Sequence, residues 1–517
     1  MKPKNEPEGF SQTMNQSEKR PAPCLAFLGT GSEVGKSVLA AAMCRVLANR
    51  GLRVMPFKAQ NMSNNSGVTP EGLEMGRAQI VQAEAAKTAP HVDMNPVLLK
   101  PAGDNGSQVV VMGRAMGHKK AKEYYAEKDA LFKTAAQALD RLRMQCDAVI
   151  MEGAGSCAEV NLMDRDFVNL PMAAYANAPV VLVADIDKGG VFAQITGTLA
   201  CLPNHFADRI AGFIINRFRG DPGLFSDGLC WLENRTKKTS FGVIPWFGHI
   251  RIEAEDAVSI KRASPPANSS VKKPAVAVVR LPRISNFTDF DPLDAAEGLS
   301  LYFIEQPGDL SPFSALILPG TKNTRADLEW LHETGWSDAI KKYHRSGGHV
   351  LGICGGYQML GYSVQDPDGI EDESGTTPGL GLLPVETVLA APKTTALARF
   401  VWDKTEGTGY EIHMGRTTAD KGLPLFYVTE QNSAKCDFTD GCISEDSLVI
   451  GTYMHGLFDR PQILEKWLEH TGVKGVKVPG LQGHAERDRQ YDLLAKHFEA
   501  HADIEALIRL LVPEVKK

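Results

Sequence analysis

The sequence predicts an α/β protein built from two doubly wound α/β domains, and three observations point to it. Apolar runs of strand length recur, each followed by a glycine-rich turn and then by helical spacing, the alternation that a parallel sheet covered by helices requires. The chain has 517 residues, more than one ordinary core takes up. Residues 262–274, rich in Pro, Ser and Lys and without apolar periodicity, separate two such alternating regions and read as a linker. The expected organisation is a disordered polar tail over 1–23, a first domain over 24–261, the linker, a second domain over 275–460 and a helical C-terminal extension over 461–517.

Composition narrows the classes. Hydrophobic residues make up 43% and charged residues 23%, as in globular proteins. A formal net charge of −6 offers no bulk attraction to nucleic acid or to an anionic membrane, so the expected partners are small molecules. Nine cysteines, an odd count without paired Cys-x-x-Cys spacing, read as reduced thiols of a cytoplasmic protein rather than a disulfide framework. The polar start lacks the apolar core of a signal peptide, and the longest apolar stretch, residues 173–184, is too short and interrupted to span a bilayer. Oligomeric state is not legible.

In the first domain the apolar strand 24–28 runs into Gly29-Thr30-Gly31-Ser32-Glu33-Val34-Gly35-Lys36-Ser37, and small and apolar residues continue as a helix. Strand, glycine-rich loop, Lys-Ser and helix together form a phosphate cradle. The N–H groups of Thr30, Gly31, Ser32, Glu33, Val34 and Gly35 and the helix dipole face the phosphates, Lys36 neutralises their charge, and Ser37 is a ligand for Mg²⁺. The spacing departs from the standard P-loop, because the first glycine lies one residue early. Three further strands end in polar residues: 53–58 in Lys58, 147–152 in Glu152, and 213–217 in the pair Asn216-Arg217. A lone Lys or Glu at a strand end is ordinarily a solvated loop residue.

In the second domain the strands 275–279 and 315–318 precede the apolar run 348–353, which delivers Cys354-Gly355-Gly356 and then a helix start at Tyr357. A cysteine between small residues at a strand-to-helix turn fits a nucleophile elbow, where the helix N-terminus favours a thiolate and the next backbone N–H holds an oxyanion. A strand-like run 447–450 leads to His455, a candidate general base.

The Gly-Ile-Cys-Gly-Gly elbow with its downstream histidine resembles the class I (triad) glutamine amidotransferase family. The resemblance implies that Cys354 attacks the glutamine carboxamide and releases ammonia, with His455 as base. It also implies that Gly320, in Leu316-Ile317-Leu318-Pro319-Gly320-Thr321-Lys322, supplies an oxyanion N–H beside that of Gly355. One departure stands out. The family's glutamate two residues after the histidine is Leu457 here, so the imidazole is expected to lack its usual orienter and resting glutaminase turnover to be slow.

The phosphate loop resembles dethiobiotin synthetase and its relatives, which activate carboxylates with ATP. That likeness implies Glu152 with Ser37 as Mg²⁺ ligands, Lys58 near phosphate or carboxylate, and Asn216 as a reader of adenine. The two halves together resemble the cobyric acid synthase family of cobalamin biosynthesis. The likeness is carried by Lys58-Ala59-Gln60-Asn61-Met62-Ser63-Asn64-Asn65, Glu74-Met75-Gly76-Arg77-Ala78-Gln79, the 95–101 and 186–192 runs, and Gly409-Tyr410-Glu411-Ile412-His413-Met414-Gly415. It implies an ATP- and glutamine-dependent amidoligase acting on corrinoid carboxylates, with cobalt entering only as part of the substrate. Lys58, Gln60, Asn61, Arg77, Lys100 and Asp147 are the candidate substrate residues, with Arg217 and Arg219 as further cations. For the amide-rich loop, a polar turn fixed by its own hydrogen bonds is the competing account. The alternatives are a related a,c-diamide synthase or other amidoligase, or a non-enzymatic ATPase switch, which would have no use for Cys354 and His455.

Overall fold

The computed structural model describes residues 20–103, 106–253, 273–371, 373–480 and 483–511. Most of the expected tail (1–19) and linker (262–272) therefore lies outside the described residues. The first unit is built on a six-stranded sheet in the order Thr239–Pro245, Ile210–Phe218, Val180–Asp185, Cys24–Gly29, Ala148–Glu152 and Val54–Phe57. Every pairing in it is parallel. Cys24–Gly29 and Val180–Asp185 are buried at every position, as expected for strands with both faces covered. The helix Lys36–Asn49 covers one face, its Leu39, Ala42 and Val46 packing with Leu25 and Phe27. Beside the sheet stand a four-stranded sheet, beginning at Gln60–Met62, and a two-stranded ribbon, Ser66–Val68 with Glu74–Gly76.

The second unit has a sheet in the order Ser300–Ile304, Ala275–Val279, Ala315–Leu318, His349–Ile353, Val449–Thr452 and Cys442–Ile443, parallel except at the last pair. It also carries something beyond a doubly wound sheet. A second sheet is organised on the long hairpin of Val385–Trp402 and Thr405–Ala419.

The C-terminal extension 461–517 reads in the sequence as one piece, but its described part divides between the two units. Pro461–His470 packs Ile463, Leu464 and Trp467 into the second core. Gly483–His501 and Ile504–Leu511 return to the first, where Tyr491, Leu494, Phe498, Ile504 and Leu507 join the cluster around Leu25 and Leu39. Amphipathic spacing shows that a helix face is buried but not against which core. Among the described residues no helix is long and apolar enough to cross a membrane.

Candidate active site

The strand His349–Ile353 delivers Cys354 in a conformation that few non-glycine residues adopt, φ 52° and ψ −109°, immediately before the helix Gly355–Leu360. The flanking glycine is needed for contact: a Cβ on Gly356 would lie 2.0 Å from the Leu318 carbonyl oxygen. The elbow is thereby pressed against the end of Ala315–Leu318, which brings the Gly320 turn to the same place. A Cβ on Gly320 would stand 3.0 Å from His455 Cε1. Cys354, Gly355, Gly320 and His455 converge as expected. The thiol is buried and points toward the Ile412 carbonyl at 3.7 Å.

His455 follows Val449–Thr452 and is 1% exposed. Its backbone exchanges hydrogen bonds of 3.0 and 2.9 Å with Tyr410, whose ring lies nearly parallel to the imidazole at 5.3 Å between centroids. The expectation of an unoriented imidazole is corrected here. Asp289 Oδ2 lies 2.7 Å from His455 Nδ1, and Asp289 Oδ1 accepts the Gly456 N–H at 2.9 Å. Leu457, at the usual orienter position, is instead a core residue. The carboxylate comes from a turn 166 residues upstream, so no local spacing could reveal it. The available signal was the run Ser285-Asn286-Phe287-Thr288-Asp289-Phe290, where polar residues alternate with aromatics in a segment that is buried throughout. Burial alone would lower the His455 pKa, but the charges of Asp289 and Cys354 carry it up to about 10. The other ring nitrogen, Nε2, faces Asn286 Nδ2 at 3.2 Å.

At the C-terminal edge of the first sheet, the phosphate loop leaves Cys24–Gly29 and closes at Gly35, φ 97°, before helix Lys36–Asn49. Lys36 Nζ donates to the carbonyls of Gly31 and Gly155 at 3.0 and 2.9 Å. Ser37 Oγ donates to Glu152 Oε1 at 2.7 Å, and Lys58 Nζ reaches the same oxygen at 2.9 Å. Gln82 Nε2 holds Glu152 Oε2 at 2.5 Å. Ser37 and Glu152 are adjacent hard oxygen donors, a set that fits Mg²⁺ completed by phosphate oxygens and water. Among the described residues no cluster of three or more His, Cys, Asp and Glu gathers as a self-sufficient metal cage.

The other expected residues fare unevenly. Asp147 departs from the expectation: it lies at the opposite end of the strand from Glu152, on the surface, paired with Arg53 at 2.6 Å. Asn216 reaches the loop, but its amide donates to the Val34 carbonyl at 2.9 Å, so here it braces the loop. Asn61 donates to Gln79 at 3.0 Å, and Gln60 accepts from the Tyr124 hydroxyl, so this amide pair is fixed by neighbours. The candidate cations are already paired: Arg77 with Glu253, Lys100 with Glu74 at 2.8 Å, Arg217 with Asp185 at 2.9 Å, and Arg219 with Asp187. Of these, Arg217 and Arg219 keep substantial exposure at the sheet edge, 37% and 54% of their side chains. Sequence reasoning also missed Lys393, whose ammonium in the second unit lies 2.6 Å from Glu74 in the first.

Comparison with known proteins matches both halves. Residues 25–259 match the family described as the CobQ/CobB/MinD/ParA nucleotide binding domain, and residues 275–463 match the CobB/CobQ-like glutamine amidotransferase domain. The chain is 50% identical to a cobyric acid synthase of Chlorobaculum tepidum, over 95% of this chain and 98% of that one. It is likewise 50% identical to a cobyric acid synthase of Chlorobium phaeobacteroides, over 93% of this chain and 97% of that one. A nucleotide-binding half and an amidotransferase half, aligned with such relatives over almost their whole length, leave one conclusion: the chain belongs to the cobyric acid synthase family.

Proposed function

We propose that this enzyme, an ATP-using ligase of cobalamin biosynthesis with a glutamine amidotransferase domain, amidates the b, d, e and g carboxylates of adenosylcobyrinic acid a,c-diamide to give adenosylcobyric acid. One ATP and one glutamine are used for each amide. The observation that carries this reading is the pairing, in one chain, of a Cys354–His455–Asp289 arrangement with a separate phosphate loop. Cys354 Sγ attacks the glutamine carboxamide carbon while Nε2 of His455 takes the thiol proton and passes it to the departing nitrogen, which leaves as ammonia. The N–H groups of Gly355 and Gly320 hold the oxyanion, and water cleaves the thioester to glutamate. At the other site a substrate carboxylate takes the terminal phosphoryl group of ATP. Ammonia then attacks the acyl phosphate and phosphate leaves. Lys36 and the loop N–H groups offset charge on the transferring group. Mg²⁺, which would be held by Ser37 and Glu152, supplies further charge neutralisation. Arg217 and Arg219, partly exposed, would meet the anionic arms of the corrinoid by exchanging Asp185 and Asp187 for substrate carboxylates.

The test follows amide nitrogen from isotope-labelled glutamine into the a,c-diamide in the presence of ATP. Labelled products carrying up to four new amides support the reading. Glutamine hydrolysis without any labelled corrinoid would exclude it.

A further inference from the structure

The Gly320 turn that stands against His455 continues along the nucleophile elbow. Thr321 and Thr324 both border Gly355, where a Cβ would meet Thr321 Cγ2 at 2.6 Å and Thr324 Oγ1 at 3.4 Å. Between them lies Lys322, only 9% exposed. Its backbone N–H donates to the Arg283 carbonyl at 3.0 Å, but among the described residues its ammonium has no hydrogen-bond or ion-pair partner. A buried ammonium left in that state is costly, and proteins ordinarily pair it.

The nearby carboxylates do not serve. Glu74 is already taken at both oxygens, Oε1 by Lys100 at 2.8 Å and Oε2 by Lys393 at 2.6 Å. Glu371 and Lys322 are each the strongest charge acting on the other, yet no ion pair joins them. Glu371 is held elsewhere, its Oε2 accepting the Thr324 N–H at 2.6 Å. Thr324 Oγ1 in turn donates to Gln358 Oε1 at 2.9 Å, on the elbow helix Gly355–Leu360. The cation and the carboxyl are thus fixed to the same elbow and kept apart. Burial draws the Lys322 pKa down from the ordinary lysine range, with Glu371, Glu74 and Cys354 pulling the other way. Burial likewise pushes the Glu371 carboxyl up to about 7, against the pull of Lys322. Both groups lack a contact that would stabilise their charged forms.

We propose that Lys322 and Glu371 hold the amino-acid head of glutamine, Lys322 its α-carboxylate and Glu371 its α-ammonium, so that the carboxamide is presented to Cys354. Glutamine carries both charges on one carbon, and only two methylene groups separate that carbon from the carboxamide. A head of this kind completes a cation and an anion that stand apart, whereas a neutral amide satisfies neither. No bond is made or broken in this step. The proposal deepens the reading above, since it rests on glutamine being the nitrogen donor, and it names what selects that donor.

The test compares two alkylating probes of Cys354 in the full-length chain and in its Lys322→Met, Lys322→Arg and Glu371→Gln variants. Azaserine, a diazoacetyl ester of L-serine, carries the amino-acid head; iodoacetamide carries a neutral amide alone. Peptide mass spectrometry locates each label. In Lys322→Met, azaserine labelling should slow by about tenfold to a hundredfold, the worth of one charge-assisted hydrogen bond, while iodoacetamide labelling changes much less. The KM for glutamine in glutamate release should rise by a similar factor with kcat less affected, because the head is held alike before and during reaction. Lys322→Arg keeps the charge and should restore part of the azaserine rate. Equal slowing of both probes would show that Lys322 acts on the thiol or the fold, and would overturn the inference; so would an unchanged azaserine rate. If Lys322→Met does not fold, Glu371→Gln removes the other half of the cradle and gives the same comparison. A wild type whose Cys354 takes iodoacetamide but reacts with neither azaserine nor glutamine overturns the amidotransferase reading itself.

Discussion

Burial alone would strip His455 of its proton, because a charged imidazole loses its hydration inside the protein; the Asp289 carboxylate reverses that and fixes the ring with Nδ1–H toward itself. Asp289→Asn keeps the size and can still hydrogen-bond, but it removes the charge that stabilises the imidazolium and admits the wrong tautomer. Glutaminase turnover should fall by about a hundredfold or more. Amidation supported by high ammonium at elevated pH should stay near wild type, as it should in Cys354→Ala, because neither residue belongs to the phosphate site. Parallel measurement of the two nitrogen donors checks this, and equal loss with both would show that Asp289 serves folding rather than chemistry. The nucleophile was legible because its requirements are local: an apolar strand, a turn that only small neighbours permit, and a helix start. Asp289 was not, because the turn that presents it is held in place by long-range contacts, including the Ser285 N–H bond to the Gly320 carbonyl at 2.9 Å.

Among elements, the long hairpin of Val385–Trp402 and Thr405–Ala419 links the units by carrying Lys393 to Glu74, and within the second unit it lays Tyr410 against His455. Its strands were invisible as a second sheet because the alternating pattern of a half-exposed antiparallel strand is weaker than the apolar runs of buried parallel ones. Burial lowers the Lys393 pKa to about 8 against the opposing pull of Glu74. Its folded pKa is thus below that of a free lysine, about 10.4. Between these values the unfolded chain binds the extra proton, so this group makes stability rise with pH across that window. Relative to wild type, Lys393→Met should therefore lose ground as pH climbs from about 8 to about 10.4, and the gap should be flat over the neutral range just below that window, before Glu74 titrates. Denaturant midpoints measured across the range decide it, and a pH-independent gap would show that Lys393 does not titrate there. The C-terminal helices make the complementary point. Their amphipathic faces were readable, but the return of Phe498 and Leu507 to the first core depends on a chain path that no periodicity encodes.

At the scale of the whole molecule, both candidate sites lie at the C-terminal edges of parallel sheets, as open α/β folds favour, and the ion pair of Lys393 with Glu74 between the units is buried. Glu74, Lys100, Lys393 and Ser66 stand between the two sites, each 10% exposed or less. Cys354 and His455 are themselves buried, so under the proposed reaction ammonia would form inside the protein rather than in bulk water. This arrangement predicts the outcome of mixing two complementary variants. Lys36→Ala should lose amidation with either nitrogen donor, since an unactivated carboxylate does not react with ammonia, while keeping its glutaminase site. Cys354→Ala should keep carboxylate activation but make no ammonia. A mixture of the two contains every catalytic group, but on different chains. If ammonia passes within one molecule, the mixture should amidate the corrinoid from glutamine no faster than the Cys354→Ala variant does when supplied with the same concentration of free ammonium. At neutral pH that is a small fraction of the wild-type rate. Measuring amide formation in the mixture against an ammonium titration of Cys354→Ala alone gives the comparison. A mixture that approaches the wild-type rate at low free ammonium would show that ammonia crosses between chains, by exchange through solvent or within an oligomer, and would rule out confinement to a single chain.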